Sequence, residues 1–369
     1  MDTKFILVTK SVKVLRILVF LVCVSTFGQQ TSNTLFFDNN FNVEVEVNDT
    51  LLMLQFDTGS AINILNKEFL NSINKDSLQV VSSQDFTDPF GNITNIDTFR
   101  GLSFSFLSFV ERYPTFIFNP YDYNKFLDCL VEKNNGILGL NIFFESKVLL
   151  NINNDKNEIG ILVKENLGLL GFTELGANFR DNSIYIDVEV GGKYVELLFD
   201  TGYNSYILLN KRYRKLKKYD EVENLTTMSA GLFSTLNNKE IILEGVEVEL
   251  ADFELKDNIV TINPKNTVPV FGSEMIKKFN WIIDFENKKI YFQKRKDDLS
   301  LSLSEKLQNK NVALAVNGKL YIISTFQKGF KSGQVINSVQ GEKVTSNNIC
   351  EMQKLLNDNS SDWTILKIK

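Results

Sequence analysis

The sequence predicts a mainly β protein made of two copies of one lobe, with a small α+β module behind them. Three observations carry that expectation. The pentapeptide Phe56-Asp57-Thr58-Gly59-Ser60 returns 143 positions later as Phe199-Asp200-Thr201-Gly202-Tyr203. The repeat is wider than the motif: without a gap, Val43 to Val47 lies over Ile186 to Val190, Ile64-Leu65 over Ile207-Leu208, and Val148 to Ile152 over Trp281 to Phe285. Valines at 43, 45 and 47 alternate with acidic residues, the period of a half-buried strand. An internal repeat is one structural unit used more than once, and here each copy delivers one carboxylate.

The chain of 369 residues, 43% hydrophobic and 23% charged, has the composition of an ordinary soluble globular protein of two or three domains. It contains no histidine, which removes Ser-His-Asp and Cys-His catalysis and His-ligated zinc together. No metal and no cofactor is expected. Residues 1–28 combine a basic start (Lys4, Lys10, Lys13, Arg16), a short apolar run from Ile17 to Val24 and Thr26-Phe27-Gly28. That order predicts a secretory signal peptide, cleaved after Gly28, and a secreted or periplasmic product; an uncleaved N-terminal membrane anchor is the alternative. Cleavage removes four basic residues and one acidic residue, moving the formal charge from -5 to -8. Such acidity does not suit a nucleic-acid binder. Cys129 and Cys350 then remain, in different predicted domains, and are expected as two unpaired structural cysteines, with a single bridge as the alternative.

The elements follow in order. Thr34 to Phe56 is a hairpin with its turn at Asn48-Asp49, and Ile62 to Leu70 continues as a strand and a helical turn. Asp85 to Phe99 is two extended arms around Asp88-Pro89-Phe90-Gly91-Asn92, which is turn chemistry. It is either a flap that closes over substrate, with Phe90 and Gly91 at its tip, or an ordinary exposed hairpin. Phe104, Phe106, Phe109, Phe116 and Phe118 are expected in the core of a β lobe. The second lobe spans about Ile184 to Phe292, with a weaker flap candidate at Met228 to Phe233 that includes Gly231 and Leu232. Lys211 to Lys218 is a basic run expected as a solvated face, and Trp281 to Phe292 is a hairpin turning at Glu286-Asn287.

Asp-Thr-Gly alone is three common residues that also build Asx turns. Its surroundings are more specific. Both copies follow an apolar strand, Leu51 to Phe56 and Val195 to Phe199, and both are answered by two apolar residues and a glycine. The answers are Ile137-Leu138-Gly139, with Gly139 82 residues after Asp57, and Val270-Phe271-Gly272, with Gly272 72 residues after Asp200. With these motifs the chain resembles the aspartic proteases, and within them the retropepsin-like proteins, in the bilobal single-chain arrangement that pepsin also has. The resemblance covers roughly residues 35 to 293.

The chemistry can be stated independently of that resemblance. Hydrolysing a peptide without a metal or a covalent intermediate needs one carboxylate to take a proton from water and another group to give one to the carbonyl oxygen. Two carboxylates a hydrogen bond apart cannot both ionise, so Asp57 and Asp200 would share one proton and supply both roles. The glycines, Gly59 and Gly202, let the backbone turn sharply. The resemblance implies that Thr58 and Thr201 cross-link the two loops and that Gly139 and Gly272 pack beneath them. After the glycine the motifs differ, and the Ser60 hydroxyl is expected to reach Asp57 and lower its pKa, leaving the shared proton on Asp200, the neighbour of Tyr203.

Beyond the charged stretch Lys294 to Asp298 the pattern changes. Gln334-Val335-Ile336, Val339 to Val344, a helix capped by Ser346 with Ile349, Met352, Leu355 and Leu356 on its apolar face, and a last strand from Trp363 to Ile368 resemble the second half of a PDZ domain. Gln334 stands where that family has an Asp, and a cap without ligand is the alternative. The expected division is a signal peptide at 1–28, an N-terminal lobe at 29–165, a C-terminal lobe at 166–296 and a PDZ-like module at 297–369. The reading is a monomeric aspartic endopeptidase acting on peptides or proteins, with a further peptide ligand of the PDZ-like module. The rival is a catalytically silent peptide-binding protein that uses the protease fold and that module.

Overall fold

The computed structural model describes residues 34–71, 78–87, 91–106, 109–112, 114–119, 129, 134–162, 171–213, 216, 221–230, 235–295, 311–325, 327, 329–359, 362–363 and 366–368. The expectations for residues 1–28, Phe90, Gly231 and Leu232 lie outside these.

Each lobe begins with the same hairpin. Asn42–Val47 pairs antiparallel with Thr50–Phe56, and Ser183–Val190 with Tyr194–Asp200. Val43, Val45 and Val47 are buried while Glu44 and Glu46 are exposed, as period-two alternation requires. The turns need left-handed backbone. Asn48 and Asp49 supply it at φ 46° and 59° in the first lobe, and Gly191 and Gly192 at φ 58° and 79° in the second. These are residue types that tolerate positive φ in a two-residue turn.

The strand entering each Asp-Thr-Gly loop pairs in parallel with the strand that answers it. Gly136–Leu138 lies beside Leu54 to Phe56, and Val270–Gly272 beside Leu198 to Asp200. The strand leaving the loop, Asn63–Leu65 or Ile207–Leu209, pairs antiparallel with the other edge of the same answering strand. Each loop is therefore held by backbone hydrogen bonds at its entry and its exit. The two lobes are joined below by a six-stranded sheet in which the repeated closing strands meet, Leu149–Asn153 against Phe279–Asp284, with Leu150 opposite Ile283 and Ile152 opposite Trp281. One hydrophobic core runs through both lobes. Phe56 packs edge-on against Phe143, and Phe199 against Trp281, directly behind the two loops. Phe104, Phe106, Phe116 and Phe118 are buried, as expected of core rings. Burying one such ring contributes about 1.5–3 kcal/mol.

The C-terminal module has its own core, built from Ala313, Leu320, Ile322, Ile336, Trp363 and the helix Ile349–Asp358. Three expectations are corrected here. The helix begins after Asn348, not Ser346; Asn348 accepts from the Thr345 N–H and donates to Glu342 and to the Lys343 carbonyl, which fixes the turn ahead of it. No strand is seen at the described part of Trp363 to Ile368: Leu366 and Lys367 lie in a turn, Lys367 at φ 45°. Cys129 and Cys350 are joined by a disulfide, their Cα atoms 5.3 Å apart. Cys129 belongs to the first lobe's sequence but packs on the module core, which brings the two thiols within bonding range.

The module is also attached to the second lobe. Its strand Lys319–Thr325 pairs antiparallel with the outer strand of the hairpin Glu221–Ala230/Thr235–Leu250, Thr226 opposite Thr325 and Thr227 opposite Ser324. The second lobe and the module thus share one eleven-stranded sheet.

Candidate active site

The two Asp-Thr-Gly loops meet through a reciprocal set of buried hydrogen bonds. The Thr58 hydroxyl donates to the Phe199 carbonyl at 2.7 Å and accepts from the Thr201 N–H at 3.0 Å. The Thr201 hydroxyl donates to the Phe56 carbonyl at 2.6 Å and accepts from the Thr58 N–H at 3.0 Å. Both threonines are fully buried. A buried hydroxyl costs free energy unless it is bonded, and here each makes one bond as donor and one as acceptor. Removing either hydroxyl would strand a carbonyl and an N–H of the opposite lobe.

That lattice sets the carboxylates face to face. A Cβ placed on Gly59 would lie 2.4 Å from the Asp200 carboxyl carbon, and one on Gly202 would lie 2.5 Å from that of Asp57. Any side chain at either glycine would occupy the other lobe's carboxylate, so both positions need glycine by close approach. Gly139 and Gly272 lie behind the loops. A Cβ there would meet the Ile62 carbonyl at 2.4 Å and the Ser205 carbonyl at 2.3 Å. The residues after them repeat one contact, the Leu140 N–H donating to the Ser60 carbonyl at 2.9 Å and the Ser273 N–H to that of Tyr203 at 2.9 Å.

Each carboxylate accepts backbone donors from its own loop. Asp57 Oδ1 takes the Gly59 N–H at 2.8 Å, and Asp200 Oδ1 takes the N–H groups of Gly202 and Tyr203 at 2.8 and 3.0 Å. The two side chains also hydrogen-bond to each other. Removal from water raises the pKa of both, and the proximity of Asp57 pushes Asp200 well above the usual carboxylate range. Of the two, Asp200 is raised further. This is the expected direction, but the expected cause is overturned: the Ser60 hydroxyl donates to the Ile62 carbonyl at 2.8 Å, and only the backbone of Ser60 is turned toward Asp57. A hydroxyl so close in sequence to a carbonyl finds a local partner first. Burial also lifts the Tyr203 phenol, with the charge of Glu240 adding to it.

The first hairpin is longer than the sequence indicated, running Gln79–Thr87 and Ile93–Arg100 with Thr87 opposite Ile93. Phe86 and Ile96 pack on Ile62, Ile64, Ile117 and Ile137, an apolar patch on the strands that flank the Asp57 loop. Gly91, at φ 85°, lies beside the second lobe, where a Cβ would meet the Thr267 methyl at 3.5 Å. Asn92 shares with the second lobe a cavity of about 670 Å³. Sequence reading missed Asn63, which is buried and accepts the Gly139 N–H on its side-chain oxygen at 3.0 Å. In the second lobe the Gly272 N–H goes to the main-chain carbonyl of Tyr206 instead, at 2.7 Å. The signal was there, since Asn63 and Tyr206 hold the same place in the repeat and differ.

No protein-family model and no curated protein matches the chain. Among solved structures it is similar to the aspartic proteinase from Irpex lacteus, at 12% identity over 72% of this chain and 98% of that one, TM-score 0.47. It is similar also to Basic 7S globulin from soybean, at 9% identity over 70% and 93% of the two chains, TM-score 0.45. The fold is mainly β with two lobes built on the repeat, as the sequence predicts.

Proposed function

We propose that the chain is an aspartic-type endopeptidase in which Asp57 and Asp200 activate one water against a peptide carbonyl. The observation that supports this most directly is the reciprocal threonine lattice, which holds two carboxylates in mutual contact although like charges there repel. Ionised Asp57 takes a proton from the water as its oxygen attacks, and Asp200 gives its proton to the carbonyl oxygen. The resulting gem-diol then collapses: the C–N bond breaks as Asp57 gives its proton to the leaving amine, and one diol hydroxyl returns its proton to Asp200, restoring the dyad. The site makes no call on a cofactor. The apolar patch beneath the first hairpin suits an apolar substrate side chain next to the cleaved bond, with that hairpin closing over it.

Both carboxylates come from one chain, so a monomer is the active unit, and residues 1–28 direct it to a secreted or periplasmic location. The C-terminal segment resembles half of a PDZ domain, yet its edge strand Val312–Val316 is occupied. The Asn357 amide bonds the N–H and carbonyl of Ala313, and Gln353 accepts the Ala315 N–H. A peptide ligand adding to that edge would have to displace these amides, so the module's working contact is the second hairpin. The test is turnover of a mixed peptide library across pH, with and without a transition-state mimic of the aspartic type. Cleavage that the mimic blocks and that Asp57→Asn or Asp200→Asn removes supports the reading; binding without cleavage by a folded protein would leave the silent binder.

A further inference from the structure

The cavity shared by the first hairpin and the second lobe has a chemistry of its own. Among the described residues it is lined by Lys211, Arg212 and Lys265 and by the amides Asn92, Asn210 and Asn266, with no acidic residue. In a chain with net charge -5 this is a concentrated positive patch. The loops beneath are fixed. The Asn210 side chain accepts the Arg212 N–H at 3.1 Å and donates to the Thr267 carbonyl at 3.3 Å, while Asn266 donates to the Val268 carbonyl. Three of the lining side chains are therefore cationic on a preformed backbone.

Its position relative to the dyad follows from chain length. Thr267 is five residues before Gly272, which pairs with Asp200, so this edge of the cavity lies within about 18 Å of Gly272 along the chain. An extended peptide crossing the dyad covers that distance in about five residues. We propose that this cavity is a subsite for a carboxylate side chain, and that the substrates are peptides with Asp or Glu a few residues from the cleaved bond. The inference rests on the hydrolytic reading above. Lys211 and Arg212 are exposed, as expected of the basic run, whose residues 214–215 and 217–218 lie outside those described.

The experiment uses a peptide series with an apolar residue at the cleaved bond and Glu or Gln at each successive position up to five residues on either side. At low salt, one position should show kcat/KM about two- to fivefold higher for Glu than for Gln, the size expected of an exposed charge pair, and the ratio should shrink as salt is added. In a Lys211→Gln/Arg212→Gln variant it should fall close to one. A ratio near one at every position, or a ratio that survives the double substitution, overturns the subsite. Fluorescence anisotropy of the same labelled peptides separates this from the hydrolytic reading. If nothing is cleaved but the Glu peptide binds more tightly and the double variant loses the difference, the subsite stands and the protease reading falls; equal binding of both peptides removes the subsite.

Discussion

In the first lobe the strand Gln79–Thr87 ends its sheet, exposed along nearly its whole length. In the second lobe the corresponding hairpin strand, Glu221–Ala230, carries a further strand from the C-terminal module on its outer edge. Where the lobes meet, by contrast, every threonine contact of one is repeated by the other. The repeat is symmetric where the two carboxylates are held in contact and asymmetric at its hairpins. One hairpin ends its sheet on an exposed edge, and the other is fastened by strand addition and, through Cys129 and Cys350, to the first lobe's own chain.

The symmetric part gives the largest expected effects. Asp57→Asn and Asp200→Asn should each lower kcat/KM by about 10³-fold or more, since both proton transfers are lost together, and mixing the two variants should restore nothing. Recovery in the mixture would place the dyad between chains. Stability should move the other way. The folded-state pKa of Asp200 is raised, so the folded protein holds a proton that the unfolded chain releases, and stability falls as pH rises from the ordinary carboxylate value through the raised one. Asp200→Asn should accordingly melt at a higher temperature than the wild type at neutral pH, with the gap closing in acid; a lower melting temperature at neutral pH would contradict the assigned proton.

The hairpins come next. Gly91 sits at φ 85°, which proline cannot adopt. Gly91→Pro should cut kcat by about 10²-fold by spoiling closure, while the melting temperature changes little because that hairpin is exposed. Thr226→Pro, in the fastened hairpin, should leave kcat within about threefold and appear instead as faster hydrogen exchange in Lys319–Thr325. Equal losses of kcat would erase the distinction between a moving and a fixed hairpin. The disulfide tests the fastening itself. It closes a loop of 221 residues, for which chain entropy alone suggests about 5 kcal/mol at most. Cys350→Ser should lower the denaturant midpoint substantially, and an unchanged midpoint would mean that strand pairing alone holds the module.

What could be read in the sequence was local or repeated. Valine alternation, turn residues at 48–49 and the two Asp-Thr-Gly loops announce themselves through period and spacing, and the paired lobes follow from them. The joining of Lys319–Thr325 to Glu221–Ala230 left no such trace, because edge pairing is made by backbone groups that every residue carries. The Cys129–Cys350 bridge was hidden for a related reason: two cysteines 221 residues apart say nothing of proximity until the module is placed. The role of Asn63 was visible only as a mismatch between the repeats, and mismatch alone does not tell which carbonyl or amide is being served.

The smallest expected effect concerns Ser60, and it separates two origins of the dyad's asymmetry. Were the serine hydroxyl to hold the charge on Asp57, Ser60→Ala would raise the acidic limb of the pH-rate profile. In the structure that hydroxyl is spent on the Ile62 carbonyl, and Asp57 is served by the Gly59 N–H. The difference between the two lies instead in their backbone donors, the N–H groups of Gly59, Ser60 and Gly202 lowering the pKa of Asp57 and those of Tyr203 and Gly202 that of Asp200. Ser60→Ala should therefore leave the acidic limb within about 0.2 of a unit, since a whole unit would require 1.36 kcal/mol of differential interaction that the hydroxyl does not make. It should cost about 0.5–1.5 kcal/mol of stability through the lost bond to Ile62. A limb that moved by about half a unit or more, equivalent to roughly 0.7 kcal/mol, would mean that the hydroxyl turns from Ile62 to Asp57 when substrate is bound, and that the two loops differ at the chemistry and not only at their edges.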